Sequence, residues 1–115
     1  MHFTVYDAAD LTPVGSGGLF GIGHLMGRAG LGILLGERRG RGIGTDAVRL
    51  LLRWAFADLG LHNVMLEAHA WSEAALRAYE RAGFRLVGRR RGSLMSEGRR
   101  YDEVIMDVIA PDVLT

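Results

Sequence analysis

The feature that most constrains this chain is an apolar segment that leads into a glycine-rich turn and then into a helical pattern. Residues 31–35 read Leu-Gly-Ile-Leu-Leu, and residues 37–47 read Glu-Arg-Arg-Gly-Arg-Gly-Ile-Gly-Thr-Asp-Ala. Apolar residues then recur at helical spacing, which predicts a strand, a glycine turn and a helix in that order. Gly40, Gly42 and Gly44 leave successive N–H groups uncovered by any Cβ, and the start of the helix adds unpaired N–H groups of its own. The turn therefore predicts a binding site for an anion, with phosphate as the expected group.

The remainder of the chain reads as short strands and one further helix. The long helix is expected to end at Gly60. Ser72 is a predicted N-cap, and the helix after it runs to about Ala82, where Gly83 is a typical stop. Alternating and apolar segments predict strands, the last two forming an antiparallel hairpin, over residues 2–6, 14–22, 28–35, 63–70, 84–95 and 99–109. The order βββαβαββ predicts an α/β or α+β domain with a mixed sheet.

Composition narrows the class of protein. The chain has 115 residues, 49% of them hydrophobic, a net charge of +1 and no cysteine. These values predict one small globular domain without disulfides or a cysteine nucleophile, consistent with the cytoplasm. They also argue against nucleic-acid binding, and neither a signal peptide nor a membrane span is visible in the sequence. The four histidines have no metal-ligand spacing, so no metal site is expected.

Two other phosphate-binding motifs compete for the glycine turn. A P-loop is excluded because it requires a lysine, and the chain contains none. The pattern Gly42-x-Gly44-x-x-Ala47 fits the dinucleotide fingerprint, with Glu67 as the acidic residue further along. Two features oppose a dinucleotide-binding domain: residues 37–39 separate the strand from the glycines, and the closing hairpin leaves no room for a second βαβ half. That interpretation stays as the less favoured alternative.

Three motifs, in the expected order, resemble the GCN5-related N-acetyltransferases (GNAT). Arg39-x-x-Gly42-x-Gly44 resembles the acetyl-CoA signature of that superfamily, in which N–H groups of the turn hold the CoA pyrophosphate. Residues 73–84, which end in Tyr-Glu-Arg-Ala-Gly-Phe, resemble its second hallmark. Residues 98–106 resemble the closing segment of the branch that acetylates ribosomal-protein N-termini and polyamines. The resemblance covers residues 14–109 and implies a GNAT-like mixed, mostly antiparallel sheet.

The resemblance also implies that acetyl-CoA is the co-substrate. The strand before the glycine turn is then expected to hold the pantetheine arm beside Ile33, Leu34 and Leu35, with one main-chain N–H facing the thioester oxygen. Ser72 stands where the family often has an asparagine that binds the pantetheine amide. The residues implied in binding the diphosphate are Arg39, Gly40, Arg41, Gly42, Gly44 and Thr45.

Tyr79 matches the family's tyrosine position, and the resemblance implies that it protonates the leaving thiolate. A phenol has an ordinary pKa of about 10 and is protonated at neutral pH, whereas a thiol has an ordinary pKa of about 8.5. Glu67 is the candidate general base because it lies on the strand expected to line the cleft, and His69 and Asp102 are alternatives. An amine that arrives neutral needs no dedicated base.

The sequence thus predicts an N-acetyltransferase that moves an acetyl group from acetyl-CoA to a primary amine of a small molecule or a protein N-terminus. The alternative from a different class is a non-catalytic CoA-binding or assembly module. Family members usually carry one more strand and two helices before the residue aligned with His2, and that part forms a wall of the acceptor site. The chain is therefore expected to be N-terminally short. An exposed edge strand near residues 2–6 predicts a homodimer.

Overall fold

In a computed structural model, which describes residues 1–36 and 42–114, the chain forms one six-stranded sheet in the order β1-β2-β3-β4-β6-β5. All neighbouring strands in these ranges pair antiparallel except β3 and β4, which pair parallel. This arrangement confirms the predicted fold class. The strands are β1 (His2–Tyr6), β2 (Pro13–Gly23), β3 (Arg28–Leu35), β4 (Asn63–His69), β5 (Arg85–Ser96) and β6 (Arg99–Ile109).

Three helices complete the described part of the chain: α1 (Ile43–Arg53), α2 (Glu73–Arg81) and α3 (Ala110–Leu114). Helix α1 continues into a wider turn over Trp54–Asp58, in which the Leu59 N–H donates to the Trp54 carbonyl at 3.0 Å. Gly60 follows with a φ of +68°, which confirms the predicted end of the long helix. The short helix α3 was not predicted. Within the described residues, no helix has the length and apolar character needed to span a membrane.

The core lies on one face of the sheet. Val64, Leu66 and Ala68 of β4 are buried there and belong to the same apolar cluster as Val48 and Leu52 of α1. Helices α2 and α3 also pack against this cluster. We call this the helical face. The opposite face, which carries Met65, Glu67 and His69 of β4, has no helix packed on it in residues 1–36 and 42–114, and we call it the open face.

The two central strands separate along their length. Strands β3 and β4 are paired only where Arg28–Gly30 meets Asn63–Met65. Beyond that point β3 stays paired with β2 as far as Leu35, while β4 stays paired with β6 as far as His69. A fissure therefore opens between residues 31–35 of β3 and residues 66–69 of β4. It lies at the carboxyl ends of the only parallel pair that the described chain contains, which is where α/β proteins commonly bind ligands.

Candidate active site

The N-terminus of α1 lies beside the end of β3, at the wide part of the fissure. Gly44 makes this approach possible, because a Cβ added there would be only 3.2 Å from the Leu35 Cδ1 atom. Gly42 is the N-cap and has a φ of +81°, a left-handed conformation that favours glycine. No side chain of the described residues caps this helix end. The first-turn N–H groups and the positive end of the helix dipole are therefore available to an anion.

The predicted diphosphate site is thus only partly described. Thr45 is buried in the first turn of α1, next to Gly44. Arg39, Gly40 and Arg41 lie outside the described residues, and their contacts with a diphosphate stay predictions.

The main chain of β3 presents alternate residues to the fissure. The Gly36 N–H donates to the Val14 carbonyl of β2 at 2.9 Å. The Leu34 carbonyl also points towards β2, because a Cβ added at Gly15 would collide with it. Since successive residues of a strand direct their main-chain groups to opposite sides, those of Ile33 and Leu35 point towards the fissure. Ile33 and Leu35 are therefore better placed than Leu34 for a main-chain contact with pantetheine.

Tyr79 projects from α2 into the edge of the core on the helical face. Its ring meets the Phe84 ring edge-on, with 5.9 Å between centroids. Burial raises the pKa of the Tyr79 phenol above its ordinary value. The phenol therefore stays protonated at neutral pH, as a proton donor must. Gly83 ends α2 with a φ of +111°, and the Phe84 N–H donates to the Tyr79 carbonyl at 3.0 Å, which confirms the predicted stop.

Glu67 lies on the open face beside a second carboxylate, Glu103 of β6. In the register of the two strands His69 pairs with Glu103, so Glu67 is the diagonal neighbour of Glu103. A hydrogen bond with Glu103 raises the pKa of the exposed Glu67, and slight desolvation and the negative charge of Glu103 raise it further. Hydrogen bonds with Ser93 and Glu67 lower the pKa of Glu103. The pair therefore holds a proton on Glu67 to a higher pH than an isolated glutamate would.

Two further groups surround the carboxyl pair. The Arg90 guanidinium of β5 donates to the Glu103 Oε1 atom at 3.4 Å, and this interaction also lowers the pKa of Glu103. The Ser93 Oγ atom lies 3.2 Å from the Arg90 carbonyl oxygen, so its single proton is shared between this carbonyl and Glu103. Glu103 is thereby fixed from the side of β5, and only 15% of its side chain is exposed.

Asp102, an alternative base, serves a structural role. Its carboxylate accepts a hydrogen bond from the Gly92 N–H at 2.9 Å and lies 3.6 Å from the Arg89 guanidinium. These contacts hold the irregular segment of β5, where the register with β6 shifts. As the neighbour of Glu103 in the same strand, Asp102 is directed to the opposite face from Glu67.

His69, the other alternative base, belongs to an aromatic group at the end of β4. The His69 and Trp71 ring centroids are 4.5 Å apart, and those of Trp71 and Tyr101 are 4.7 Å apart. Trp71 remains 43% exposed. Our interpretation of the sequence did not include Trp71 or Glu103. Because side chains alternate along a strand, Tyr101 and Glu103 are expected on one face and Val104 on the other. Nothing in the sequence, however, specifies the register that brings Tyr101 and Glu103 next to β4.

Ser72 occupies the predicted N-cap position of α2, but its hydroxyl makes no capping hydrogen bond. Instead its main chain is engaged: the Ser72 N–H donates to the His69 carbonyl, and the Ser72 carbonyl accepts from the Leu76 N–H, both at 3.0 Å. The predicted N-cap position is therefore confirmed, without a capping hydrogen bond from the side chain. The hydroxyl still lies at the carboxyl end of β4, beside the fissure.

The candidate acid and base lie on opposite faces of β4. Tyr79 contacts the core on the helical face, whereas Glu67 is on the open face. The fissure runs between these faces, so a group lying in it is accessible from both. In the described ranges, no three His, Asp or Glu side chains are grouped to hold a metal ion.

Comparisons with known proteins agree with this geometry. The family profile described as "Acetyltransferase (GNAT) domain" matches residues 1–85. A probable N-acetyltransferase of Bacillus subtilis, YjcK, is 32% identical over 96% of this chain. A prophage-derived uncharacterized N-acetyltransferase of the same organism, YokL, is 26% identical over 57% of it. The chain spans 62% of the length of YjcK and 37% of that of YokL.

Solved structures show the same fold. The spermidine N-acetyltransferase of Vibrio cholerae in complex with CoA and spermine superposes with a TM-score of 0.90 at 25% identity. The match covers 99% of this chain and 68% of that protein. The matched profile extends over more than half of the sequence, and YjcK matches nearly all of it. The chain therefore belongs to the GNAT acetyltransferase family.

Proposed function

We propose that the chain carries an acetyl-CoA-dependent N-acetyltransferase activity towards a primary amine. The observation that supports this most directly is that the N-terminus of α1, which no side chain in residues 1–36 and 42–114 caps, lies beside the fissure between β3 and β4. A diphosphate at the helix end and a flexible arm in the fissure are the two parts of CoA that such a geometry suits.

The residues around the fissure suit each step of acetyl transfer. The amine nitrogen attacks the thioester carbon from the open face, and its proton passes to Glu67 directly or through water. A main-chain N–H of β3 at Ile33 stabilises the developing oxyanion, an interaction typically worth about 100- to 1,000-fold in rate. The carbon–sulfur bond then breaks, and Tyr79 gives its proton to the leaving thiolate. The products are the N-acetylated amine and CoA.

The acceptor is an amine of a small molecule or a protein N-terminus. The Vibrio cholerae relative binds CoA together with spermine, which supports a polyamine-like acceptor. The carboxylates of Glu67 and Glu103 on the open face favour an acceptor that carries positive charge.

Calorimetry with acetyl-CoA and a thiol-release assay over a panel of primary amines test this function together. We expect saturable binding of acetyl-CoA and release of CoA with at least one amine. Donor binding without thiol release from any amine would instead favour the non-catalytic CoA-binding module. Absence of binding at millimolar acetyl-CoA would contradict both functions, and binding of NADH in its place would favour the dinucleotide-binding domain.

We also propose that the chain forms a homodimer through β1. This strand is at one edge of the sheet, and most of its residues are exposed. An unpaired strand edge is a template for pairing with a second chain. Light scattering is expected to give twice the monomer mass, and a monomeric mass at all concentrations tested would contradict the proposal.

A further inference from the structure

Trp71 is an exposed aromatic residue near the candidate base Glu67. The acetyl-transfer chemistry described above gives it no role. Trp71 follows β4 closely, and its ring contacts the rings of His69 and Tyr101. A tryptophan fixed by two neighbours yet 43% exposed presents one preorganised surface to solvent. Because the ring contacts hold the indole in place, a ligand that binds to it does not have to order it first.

The position of this indole relates it to the carboxyl pair. His69, which contacts Trp71, is two residues from Glu67 on the open face and pairs across the sheet with Glu103. Tyr101 is likewise two residues from Glu103 on β6. The aromatic group and the two carboxylates therefore form one continuous strip along the open face, at the end of β4 where the fissure is widest.

The strip carries only one net negative charge when Glu67 is ionised, because Arg90 pairs with Glu103 at 3.4 Å. The remaining carboxylate, that of Glu67, is exposed. One exposed carboxylate favours a cationic acceptor over a neutral one only weakly. The face of an indole binds alkylammonium groups specifically, and tryptophan is the most effective side chain for this interaction.

We propose that Trp71 is a specificity-determining residue that binds a second ammonium group of an aliphatic diamine while the reacting amine lies at Glu67. This inference rests on the proposed function, because it names the class of acceptor for the same site. The acceptor class is an alkyl chain with two amines: one reacts as the neutral form, and the other stays charged over the indole. Tyr101 acts as a positioning residue by supporting the ring.

The kinetic test compares Trp71→Ala and Trp71→Phe with the wild-type protein. The acceptors are 1,4-diaminobutane and n-pentylamine, which are similar in length but differ in the second ammonium group. We expect Trp71→Ala to raise the KM for the diamine about tenfold, with little change in kcat, in the KM for acetyl-CoA or in the KM for n-pentylamine. Trp71→Phe retains most of the preference, because a phenyl ring keeps a weaker form of the same interaction. Leu25→Ala, at a residue that is 95% exposed in the turn after β2, is the control and leaves all constants unchanged.

A binding measurement keeps this inference separate from the proposed function. Trp54 is the other tryptophan of the chain, so Trp54→Phe leaves Trp71 as the sole indole fluorophore. Titration of this variant with 1,4-diaminobutane is expected to change Trp71 emission saturably, whether or not turnover occurs, and n-pentylamine is expected to act only at much higher concentration. Equal effects of the two amines, or no effect of Trp71→Ala on the diamine KM, would overturn the role of Trp71. Absence of thiol release together with a saturable diamine effect would overturn the transferase function and leave the diamine site intact.

Discussion

At the scale of single residues, the site combines groups that the sequence identifies with groups that only the fold brings together. Tyr79 and Glu67 were predicted because each belongs to a recognisable motif or strand. Glu103 and Trp71 were not, because their relation to Glu67 depends on the pairing of β4 with β6. Cross-strand register depends on the packing of whole faces, and a single sequence contains little information about it.

Replacement of Tyr79 by phenylalanine tests the proton donor. The variant keeps the ring packed against Phe84 and removes only the hydroxyl. We expect kcat to fall about 100-fold, while the KM for acetyl-CoA and the unfolding midpoint change little. Steady-state kinetics and urea unfolding measure both. An unchanged kcat would assign the leaving-group proton to water or to another side chain.

The pH dependence of activity tests the carboxyl pair. Glu67 acts as a base only when ionised, so activity is lost as the pH falls through its pKa, which Glu103 raises. In Glu103→Gln the pKa of Glu67 falls, because the hydrogen bond with the Glu103 carboxyl group and its negative charge are both removed while Arg90 remains. The acid limb of kcat/KM therefore moves to lower pH. His69 remains in both proteins as a nearby titrating group.

The control for that experiment is Glu97→Gln, in the hairpin turn between β5 and β6. It removes an acidic side chain away from the pair and should leave the limb in place. The same amine and saturating acetyl-CoA are used throughout, so that ionisation of the acceptor contributes equally to every profile. Superimposable profiles for the wild-type protein and Glu103→Gln would show that Glu67 is not the base.

At the scale of elements, the sequence predicted α1 and its glycine turn well because two independent signals coincide there. Apolar residues at helical spacing define the helix, and Gly42 and Gly60, both with positive φ, bound it. The short helix α3 has only five residues and lacks a periodic pattern long enough to detect. The fissure was expected only from the resemblance to the family, because no local pattern indicates where two paired strands separate.

Substitution of Gly42 tests the N-terminus of α1. Among residues 1–36 and 42–114, nothing lies within 4 Å of a Cβ added at Gly42, so the expected cost of Gly42→Ala is that of the left-handed backbone. We expect a loss of stability of about 1–2 kcal/mol and weaker binding of acetyl-CoA. Chemical unfolding and calorimetry report the two effects. Gly88→Ala, in β5 with equal space around its Cβ and no positive φ, is the matched control and should change neither quantity appreciably.

At the scale of the whole molecule, the sequence predicted the order of all six strands along the chain, whereas their arrangement in space came from the structure. Alternation and glycine turns mark individual strands. The position of β4 between β3 and β6, however, depends on contacts between residues that are far apart in the sequence. Val64 and Leu66 of β4 are buried on the face opposite to Glu67, as the alternation of side chains along a strand requires. The predicted diphosphate contacts of Arg39, Gly40 and Arg41 fall in residues 37–41, outside the described ranges.

Thermal unfolding with and without acetyl-CoA tests the whole domain as a ligand-binding unit. A ligand at a hundredfold excess over its Kd stabilises the native state by about 2.7 kcal/mol. For a domain of 115 residues this corresponds to a rise in Tm of roughly 10 °C. NADH at the same concentration should leave the Tm unchanged. A shift with NADH but not with acetyl-CoA would contradict the proposed co-substrate.

The short contact between β3 and β4 has a consequence for how a bound donor and the protein support each other. The described sheet consists of two antiparallel halves, β1-β2-β3 and β4-β6-β5, joined edge to edge by three residue pairs. The pantetheine arm carries amide groups spaced along an extended chain. Lying between the halves, it would form hydrogen bonds with the two strand edges beyond the point where β3 and β4 stop pairing. The co-substrate would then serve as a temporary seventh strand, and amide hydrogens near Ile33 and Glu67 would exchange more slowly while it is bound.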